Sequence, residues 1–406
     1  MKKTTVLSFS SSFPQFDGDN MGIFILELSK RLQKKLNVVV LTPGIRAAKK
    51  FETFDGVPVH RFKQFCIDGI EIANSGPIMS KLHKNKLYWL VIPFFLLRQL
   101  FALRKVVKSE KIDVIHSHWI IPQGFTSVIY KTVFNPNIKL LLTIHGSDMN
   151  NFKSTMTKHL LKWILNHTDT IVTVSDALKK DVTKLGVQHN ADVIPMGVDT
   201  RLFNPENRDE SLKEKLGITG SFILFVGRLI ELKRIRLIIE AMPEVVTSLP
   251  ETKLVVVGQG VLEQELKNRV RELKIDNNVV FMGNIRNSDL PAFYATADLF
   301  LLPSVSEGFP VAAMEALSSG TIMISSPIET VRKLIIENET GLYIHQVDTT
   351  TLAHKIIEVL GNKEKFKTIP EKARQHVVQN YDWKIIGDKY ASLIAKMANK
   401  ETGLRN

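Results

Sequence analysis

The chain has 406 residues, of which 44% are apolar and 23% are charged, with 22 glycines and 16 prolines. That length predicts two or three domains that each bury a core, and the composition excludes disordered, collagen-like and disulfide-scaffold proteins. The only cysteine, Cys66, excludes an internal disulfide framework and a multi-thiolate metal site, and it favours a reducing compartment.

The net charge of +13 is confined to the first half of the chain. Residues 1–205 contain 28 Lys and Arg against 15 Asp and Glu, whereas residues 206–406 contain 26 of each. We therefore expect one half of the protein to face an anionic partner, such as nucleic acid, an acidic lipid surface or a phosphorylated acceptor. A basic surface that is merely solvated explains the same charge equally well.

Neither the start of the chain nor its most apolar segment predicts a membrane span. Residues 4–13 are Ser-rich and have no small-residue cleavage site, so we interpret them as a buried strand rather than a signal peptide. Residues 87–97 are interrupted by Pro93 and are shorter than the ~20 residues that a spanning helix needs. The sequence predicts a soluble, cytoplasmic protein, with peripheral contact at the inner membrane face as an open alternative.

Strand-like and helix-like segments alternate along both halves of the chain. The predicted strands are 4–9, 38–42, 57–62, 113–116, 139–144, 169–174 and 192–194, then 222–226, 253–257, 279–282, 299–302, 321–325 and 341–344. Such alternation predicts parallel sheets covered on both faces. With a break in periodicity at 197–210, it predicts an α/β protein with two doubly wound Rossmann-like domains, residues 1–200 and 201–384, facing a central cleft in which a ligand binds.

The most informative segment for chemistry is 307–320, directly after a predicted strand. Pro310 suits the first turn of a helix and Gly320 its end, so Glu307 precedes the helix and Glu315 lies on it. A helix N-terminus favours an anion, and carboxylates accept hydrogen bonds from sugar hydroxyls. A nucleotide-sugar supplies both groups. Glu315 as a surface residue and Glu307 as a partner of the helix dipole explain the spacing equally well.

Two further segments of the second half suit a phosphate. Arg228 and Lys233 follow the predicted strand 222–226, where a guanidinium and an ammonium can bind phosphate oxygens. Residues 258–260, Gly-Gln-Gly, resemble half of a dinucleotide fingerprint, and a plain tight turn explains them as well. Each signal is weak alone, because cations and glycines after strands are common.

In the first half, polar residues also follow predicted strands. Asp17 and Asp19 lie near a predicted helix start, where capping and turn formation are favoured over metal binding. His116 ends one predicted strand and His118 lies just beyond it, and residues 145–148 follow the next strand. Histidines at such positions can orient or protonate a substrate, although one alone is usually structural. No zinc-site spacing accompanies them.

With these motifs assembled, the chain resembles the family 4 retaining glycosyltransferases of the GT-B fold over nearly its whole length. Residues 225–233, Phe-Val-Gly-Arg-Leu-Ile-Glu-Leu-Lys, look like the family's phosphate-binding segment. Glu307 and Glu315 are similar to its pair of glutamates, of which the first contacts the transferred sugar and the second the nucleotide ribose. Residues 381–397 resemble the last helices, so helix 385–406 is expected to complete the first domain.

The resemblance implies roles for individual residues. His118, Glu307, Arg228 and Lys233 are expected to be catalytic. Glu315 is expected to bind the donor, together with Gly22, His145, Asp148, Gly227, Gly258, Asn284, Gly308, Phe309, Pro310 and Val311. The implied reaction moves a sugar from a UDP- or GDP-linked donor to a glycan or lipid-linked acceptor in polysaccharide or glycolipid synthesis, without metal or other cofactor and without nucleic acid.

The sequence departs from the family pattern at two loops. Met21-Gly22 stands where many members have Gly-Gly, and Arg234-Ile-Arg236 replaces a glycine-containing step. Two other functions remain open. A nucleotide-sugar 2-epimerase on the same fold would isomerise or hydrolyse sugar without an acceptor, and a nucleic-acid-binding protein would explain the basic half but lacks any recognised motif.

Overall fold

A computed structural model of the chain describes residues 3–65, 71–73, 88–146, 149 and 154–399. These residues form two compact units. The first runs up to Met196 and takes up the C-terminal helix from Trp383, and the second is Gly197–Asp382.

The first unit contains an eight-stranded sheet in the order β3-β4-β2-β1-β5-β6-β7-β8. Its strands are β1 Thr5–Phe9, β2 Asn37–Gly44, β3 Phe51–Phe54, β4 Val57–Lys63, β5 Val114–His118, β6 Lys139–Ile144, β7 Thr170–Thr173 and β8 Ala191–Val193. All neighbouring pairs are parallel except β3 and β4. Because both faces are covered, the central strands β1 and β5 are buried along their length.

The antiparallel edge strand β3 is absent from the sequence-based prediction. Asp55 and Gly56 both have positive φ angles, 47° and 80°, and they connect β3 directly to β4. An Asp-Gly pair with these angles is the two-residue turn that best fits a hairpin. The signal was therefore in the sequence, but the strand is short and its residues alternate between partly buried and exposed.

Six helices lie in the described part of the first unit. They are α1 Ile23–Gln33, α2 Tyr88–Ser109, α3 Phe125–Phe134, α4 Thr155–Asn166, α5 Asp176–Lys184 and α14 Trp383–Asn399, with one irregular turn at Ile120–Gly124. α14 packs on α1, where Lys35 Nζ lies 2.8 Å from Asp388 Oδ1. α2 contains the predicted apolar segment from Tyr88 onwards, and one of its faces is exposed rather than buried.

The second unit contains a six-stranded, fully parallel sheet in the order β11-β10-β9-β12-β13-β14. Its strands are β9 Phe222–Val226, β10 Lys253–Val257, β11 Val279–Gly283, β12 Leu299–Leu302, β13 Ile322–Ser325 and β14 Leu342–Tyr343. Its helices are α6 Glu210–Lys215, α7 Ile235–Ser248, α8 Glu263–Glu272, α9 Leu290–Thr296, α10 Val311–Ser318, α11 Thr349–Gly361, α12 Lys363–Phe366 and α13 Ile369–Tyr381. Short 3₁₀ turns lie at Pro205–Asn207, Glu231–Lys233 and Asp276–Asn278.

Each sheet has one point where the order of its strands reverses. In the first unit the chain turns outward in opposite directions from β1 and β5, and in the second unit from β9 and β12. The crevice beyond the carboxyl ends of such neighbouring strands is where open parallel sheets bind ligands. The prediction of two Rossmann-like domains is confirmed, and the strand order identifies two places at which to look for a site.

Candidate functional site

In the second unit, a partly buried ion pair lies at the reversal point between β9 and β12. Lys233 ends the 3₁₀ turn that follows β9, and Glu307 lies in the loop that follows β12. The Lys233 Nζ atom is 2.6 Å from Glu307 Oε1, and the two side chains are 16% and 10% exposed. Residues that are 74 positions apart in sequence are thus brought together at the carboxyl edge of the sheet.

The backbone around this pair fixes its position. The Val305 N–H donates a 2.8 Å hydrogen bond to the Leu232 carbonyl, so the two loops are joined directly beside the charged side chains. Gly227 lies against the lysine stem, because a Cβ atom there would be 3.7 Å from Lys233 Cε. The phosphate-type segment and the acidic loop therefore form one structural unit.

The other predicted cation, Arg228, has an exposed side chain that makes no ion pair or hydrogen bond with the described residues. Its guanidinium is available to an anion, whereas Lys233 is already paired with a carboxylate. Arg234 has φ of 50°, the left-handed conformation in which glycine is favoured, at the start of α7. This conformation gives a reason for the glycine at that step of the family pattern. Arg236 pairs instead with Glu265 on the protein surface.

The glycines after β10 serve close packing of the protein's own loops. Gly258 has φ of 127°, and a Cβ atom there would be 2.0 Å from the Gly227 carbonyl oxygen. A Cβ atom on Gly260 would be 2.2 Å from the carbonyl oxygen of Leu229. In addition, the Leu229 N–H donates to the Gln259 carbonyl at 3.0 Å. These glycines allow the loop after β10 to support the loop that carries Arg228.

Glu315, on α10, is buried and accepts a 2.9 Å hydrogen bond at Oε2 from the hydroxyl of Tyr294. Burial raises the pKa of the Glu315 carboxyl to about 7, although the hydrogen bond from Tyr294 opposes the shift. Burial also raises the pKa of Tyr294 well above its ordinary value, with the nearby Glu315 contributing. Near neutral pH the Glu315 carboxyl can therefore donate a hydrogen bond when it is protonated and accept one when it is ionised. Tyr294 was not predicted, since it lies in the largely apolar helix α9 without any motif around it.

The remaining predicted donor-binding residues of this unit surround the same loops. Asn284, after β11, donates a 3.0 Å hydrogen bond to the side-chain carbonyl of Gln259. Gly308 and Phe309 are half-buried, and the Phe309 ring centroid lies 5.9 Å from that of Tyr381. Pro310 and Val311 lie at the N-terminus of α10, as predicted from the sequence. The expected helix start and end are confirmed to within one residue.

In the first unit, three histidine rings lie side by side at the reversal point between β1 and β5. His116 and His118 lie on one face of β5, with ring centroids 4.1 Å apart, because the strand extends two residues beyond its predicted end at residue 116. His118 Nδ1 is 3.1 Å from His145 Nε2, and His118 Nε2 is 3.3 Å from the Ser8 hydroxyl on β1. His116 and His118 are fully buried, and His145 is the partly exposed member.

The cluster is also anchored by the C-terminal helix. His116 Nε2 lies 2.8 Å from the Thr143 hydroxyl, which lies 3.3 Å from the hydroxyl of Tyr390 on α14. Ser8, Thr143 and Tyr390 could not be predicted, because isolated hydroxyl residues in strands and helices carry no pattern.

Burial makes the three histidines neutral. It lowers the pKa of His116 to about 3, with a smaller contribution from His145, and lowers the pKa of His145 to about 3. Burial and the two neighbouring rings hold the pKa of His118 well below its ordinary range. At neutral pH each ring therefore has one donor and one acceptor nitrogen, which suits hydrogen bonding to hydroxyl groups.

The loop after β1 is built by capping and close packing. The Asp19 carboxylate accepts 2.9 Å hydrogen bonds from the N–H groups of Gln15 and Met21, as its predicted turn role requires. Gly22 has φ of 69°, and a Cβ atom there would be 2.4 Å from the Ser12 carbonyl oxygen. Gly22 therefore brings the start of α1 against the backbone of its own loop.

Cys66 and Asp148 lie outside the described residues, as do Lys81, Lys84 and Lys86, the lysines that precede the apolar segment 87–97 in the sequence. Among the residues that the structure describes, no group of three or more His, Cys, Asp and Glu side chains is arranged to hold a metal ion. In the same part of the chain, no helix combines the length and the apolar character needed to cross a membrane.

Two sequence families match consecutive parts of the chain. Glycosyltransferase Family 4 matches residues 21–202, and Glycosyl transferases group 1 matches residues 206–376. The N-acetyl-alpha-D-glucosaminyl L-malate synthase of Bacillus anthracis is 25% identical over 296 residues, which are 72% of this chain and 76% of the relative. The UDP-Gal:alpha-D-GlcNAc-diphosphoundecaprenol alpha-1,3-galactosyltransferase of Escherichia coli is 27% identical over 66% of this chain and 71% of its own.

The fold agrees with these matches. The sucrose-phosphate synthase of Thermosynechococcus elongatus superposes with a TM-score of 0.79 at 19% identity, over 97% of this chain and 99% of that one. A likeness at that identity establishes the GT-B fold, while the family matches establish the enzyme class. The chain therefore belongs to glycosyltransferase family 4 and is a nucleotide-sugar-dependent glycosyltransferase.

Proposed function

We propose that this enzyme transfers a sugar from a UDP- or GDP-linked donor to a glycan or lipid-linked acceptor, with retention of configuration at the anomeric carbon. The observation that carries the donor-site proposal is the Lys233–Glu307 ion pair, 2.6 Å long, at the strand reversal of the second unit. A cation that can bind phosphate and a carboxylate that can bind sugar hydroxyls are in contact there, as the two ends of a nucleotide-sugar require.

In this proposal, the second unit stabilises the departing diphosphate. Breaking the sugar–phosphate bond builds negative charge on the phosphate oxygens. Arg228, which is exposed and unpaired among the described residues, binds that charge together with Lys233. Glu307 exchanges its contact with Lys233 for sugar hydroxyls when donor enters. Two fixed cations supply the charge that a metal ion provides in other enzymes, so we propose that transfer is independent of divalent metal.

Glu315 and the histidine cluster have supporting roles in the proposal. Glu315 accepts a hydrogen bond from the nucleotide ribose, with Tyr294 orienting its second oxygen. His118 positions the transferred sugar through its neighbour His145, whose ring is the more exposed. Asp148, three residues after that histidine in sequence, is proposed as a further donor contact.

The acceptor class is proposed from the relatives. The name of the Escherichia coli relative describes a UDP-linked donor and a diphosphoundecaprenol acceptor. We propose that this chain likewise acts in cell-surface polysaccharide or glycolipid synthesis, with the acceptor on the basic first unit and the enzyme in the cytoplasm.

A donor screen followed by product analysis tests the proposal. Thermal unfolding is measured with UDP-, GDP- and ADP-sugars in EDTA, because a bound donor raises the unfolding temperature by mass action. The donor that stabilises the enzyme is then supplied with a polyprenyl-diphosphate-linked sugar. NMR of the first product is expected to show the donor's anomeric configuration. Inversion would overturn the retaining assignment, and sugar isomerised without acceptor would establish the epimerase alternative.

A further inference from the structure

The outer face of α2, which we define as Trp89, Leu90, Phe94, Leu97 and Phe101, is apolar and exposed. Their exposed fractions are 54%, 70%, 53%, 53% and 60%. Steps of one, four, three and four residues keep these side chains on one side of the helix for more than three turns. The opposite side, including Phe95 and Leu103, is buried in the core of the first unit.

The same side of α2 becomes basic toward its C-terminus. Lys105 and Lys108 follow Phe101 at four and seven residues, and both are exposed. Arg98 is exposed beside the apolar stripe, and α2 contains no Asp or Glu. The outer face therefore combines large apolar groups with cations and has no carboxylate of its own.

The neighbouring helix α3 extends this surface. The Arg104 guanidinium lies 4.6 Å from the centre of the Phe134 ring. Phe134 is 37% exposed and Val133 63% exposed. Contiguous exposed apolar groups of this size on a soluble domain mark a surface that another phase or molecule covers.

The charges decide between the two simplest occupants. A second copy of this chain that docked through the same face would bring lysines toward lysines, with no acidic residue of α2 to pair with them. A bilayer that contains anionic lipid supplies both an apolar phase and phosphate groups. Tryptophan also prefers the boundary between hydrocarbon and water.

We propose that the outer face of α2 seats in the headgroup region of an anionic membrane, with the stripe 89–101 below the phosphates and Lys105 and Lys108 level with them. The helix lies in the plane of the membrane and does not cross it. This inference goes beyond the proposed function and does not rest on it, because binding to lipid needs neither donor nor transfer.

Vesicle flotation of the full chain tests the proposal, with phosphatidylcholine vesicles and vesicles that also contain phosphatidylglycerol. The wild type is expected to float with the anionic vesicles at low salt and to be released at high salt. Leu90→Glu/Leu97→Glu is expected to lose binding by about tenfold or more. Met156→Glu/Val261→Glu is its control, because both residues are highly exposed and the net charge changes equally.

A second pair of variants separates the basic part from bulk charge. Lys105→Glu/Lys108→Glu should reduce binding by about tenfold, whereas Lys34→Glu/Lys50→Glu, also exposed in the first unit, should reduce it much less. Thermal unfolding checks that each variant is folded. Equal recovery with neutral and anionic vesicles, or equal loss in the variants and their controls, would overturn the proposal. Concentration-dependent dimerisation in sedimentation velocity that Leu90→Glu/Leu97→Glu abolishes would assign this face to a second copy.

Discussion

The two units both contain a largely parallel sheet, and each has polar residues at its strand reversal. One of these clusters is neutral, however, and the other is charged. At the reversal point between β1 and β5 lie three histidines that are neutral at pH 7. Between β9 and β12 lies an ion pair beside an exposed arginine. The excess positive charge lies in the half of the chain whose cluster is uncharged. The distribution of charged residues along the sequence therefore does not locate the charged site.

The largest expected effect concerns the neutral cluster. Because the folded-state pKa values of the histidines are lowered, unfolded chains bind protons below about pH 6.5 and the folded unit does not. The first unit is therefore fully stabilised above that pH, and it loses several kcal/mol as pH falls toward 3. Hydrogen exchange of peptides from β5 and β6 between pH 7 and 4 measures this loss.

His116→Phe sharpens that test, because the ring can still stack on His118 but cannot take up a proton. The variant is expected to show a flatter pH dependence, and His189→Gln, at an exposed position, is the control that should behave like wild type. An unchanged slope in His116→Phe would mean that other groups cause the acid sensitivity.

The second prediction concerns the charged cluster. Lys233→Ala removes a cation from the diphosphate site and leaves the partly buried Glu307 without its partner, so kcat/KM is expected to fall by roughly 10²–10³-fold. Lys267→Ala breaks a surface pair with Glu263 on α8 and is the control. Both enzymes are assayed in EDTA.

The exchanged pair Lys233→Glu/Glu307→Lys separates a catalytic role from a structural one. If the contact only joins two loops, the exchange restores stability and activity together. We expect stability to recover in part and activity to stay low, because a lysine then occupies the position from which the carboxylate of Glu307 binds the sugar hydroxyls.

The third prediction concerns the second unit, whose stability is expected to fall as pH rises, the opposite of the first unit. The pKa of Glu315 is raised to about 7, so burial of the neutral acid is favourable below pH 4.5 and this contribution is lost as pH rises to about 7. The loss is on the order of 3 kcal/mol. Glu315→Gln cannot ionise and should show no such loss when unfolding of second-unit peptides is followed from pH 4.5 to 8. A parallel pH profile for variant and wild type would contradict the assignment.

The smallest expected effect comes from substituting two glycines in the adjoining loops after β9 and β10. Gly258→Ala would place Cβ 2.0 Å from a backbone oxygen at φ of 127° and is expected to cost about 1–3 kcal/mol of unfolding free energy. Gly227→Ala meets only side-chain atoms at 3.4 Å or more and should cost less than about 1 kcal/mol. Chemical denaturation measures both, and equal losses would contradict the packing role of Gly258.

The sequence predicted most strands because parallel strands buried on both faces are continuous apolar runs, such as residues 253–257. It placed Glu307 and Lys233 at strand ends, but their contact required the strand order, which no local pattern contains. The exposed face of α2 was equally hidden. Its apolar residues are dense on all sides of the helix, so periodicity could not separate the buried side from the exposed one.

The central claim is that the nucleotide part of the donor binds the charged cluster of the second unit. Hydrogen exchange of the full chain, with and without the donor that stabilises it, in EDTA, tests this most directly. The account predicts protection in peptides covering residues 226–234 and 303–315, and loss of that protection in Lys233→Ala. Protection confined to peptides of the first unit, or unchanged in Lys233→Ala, would contradict it.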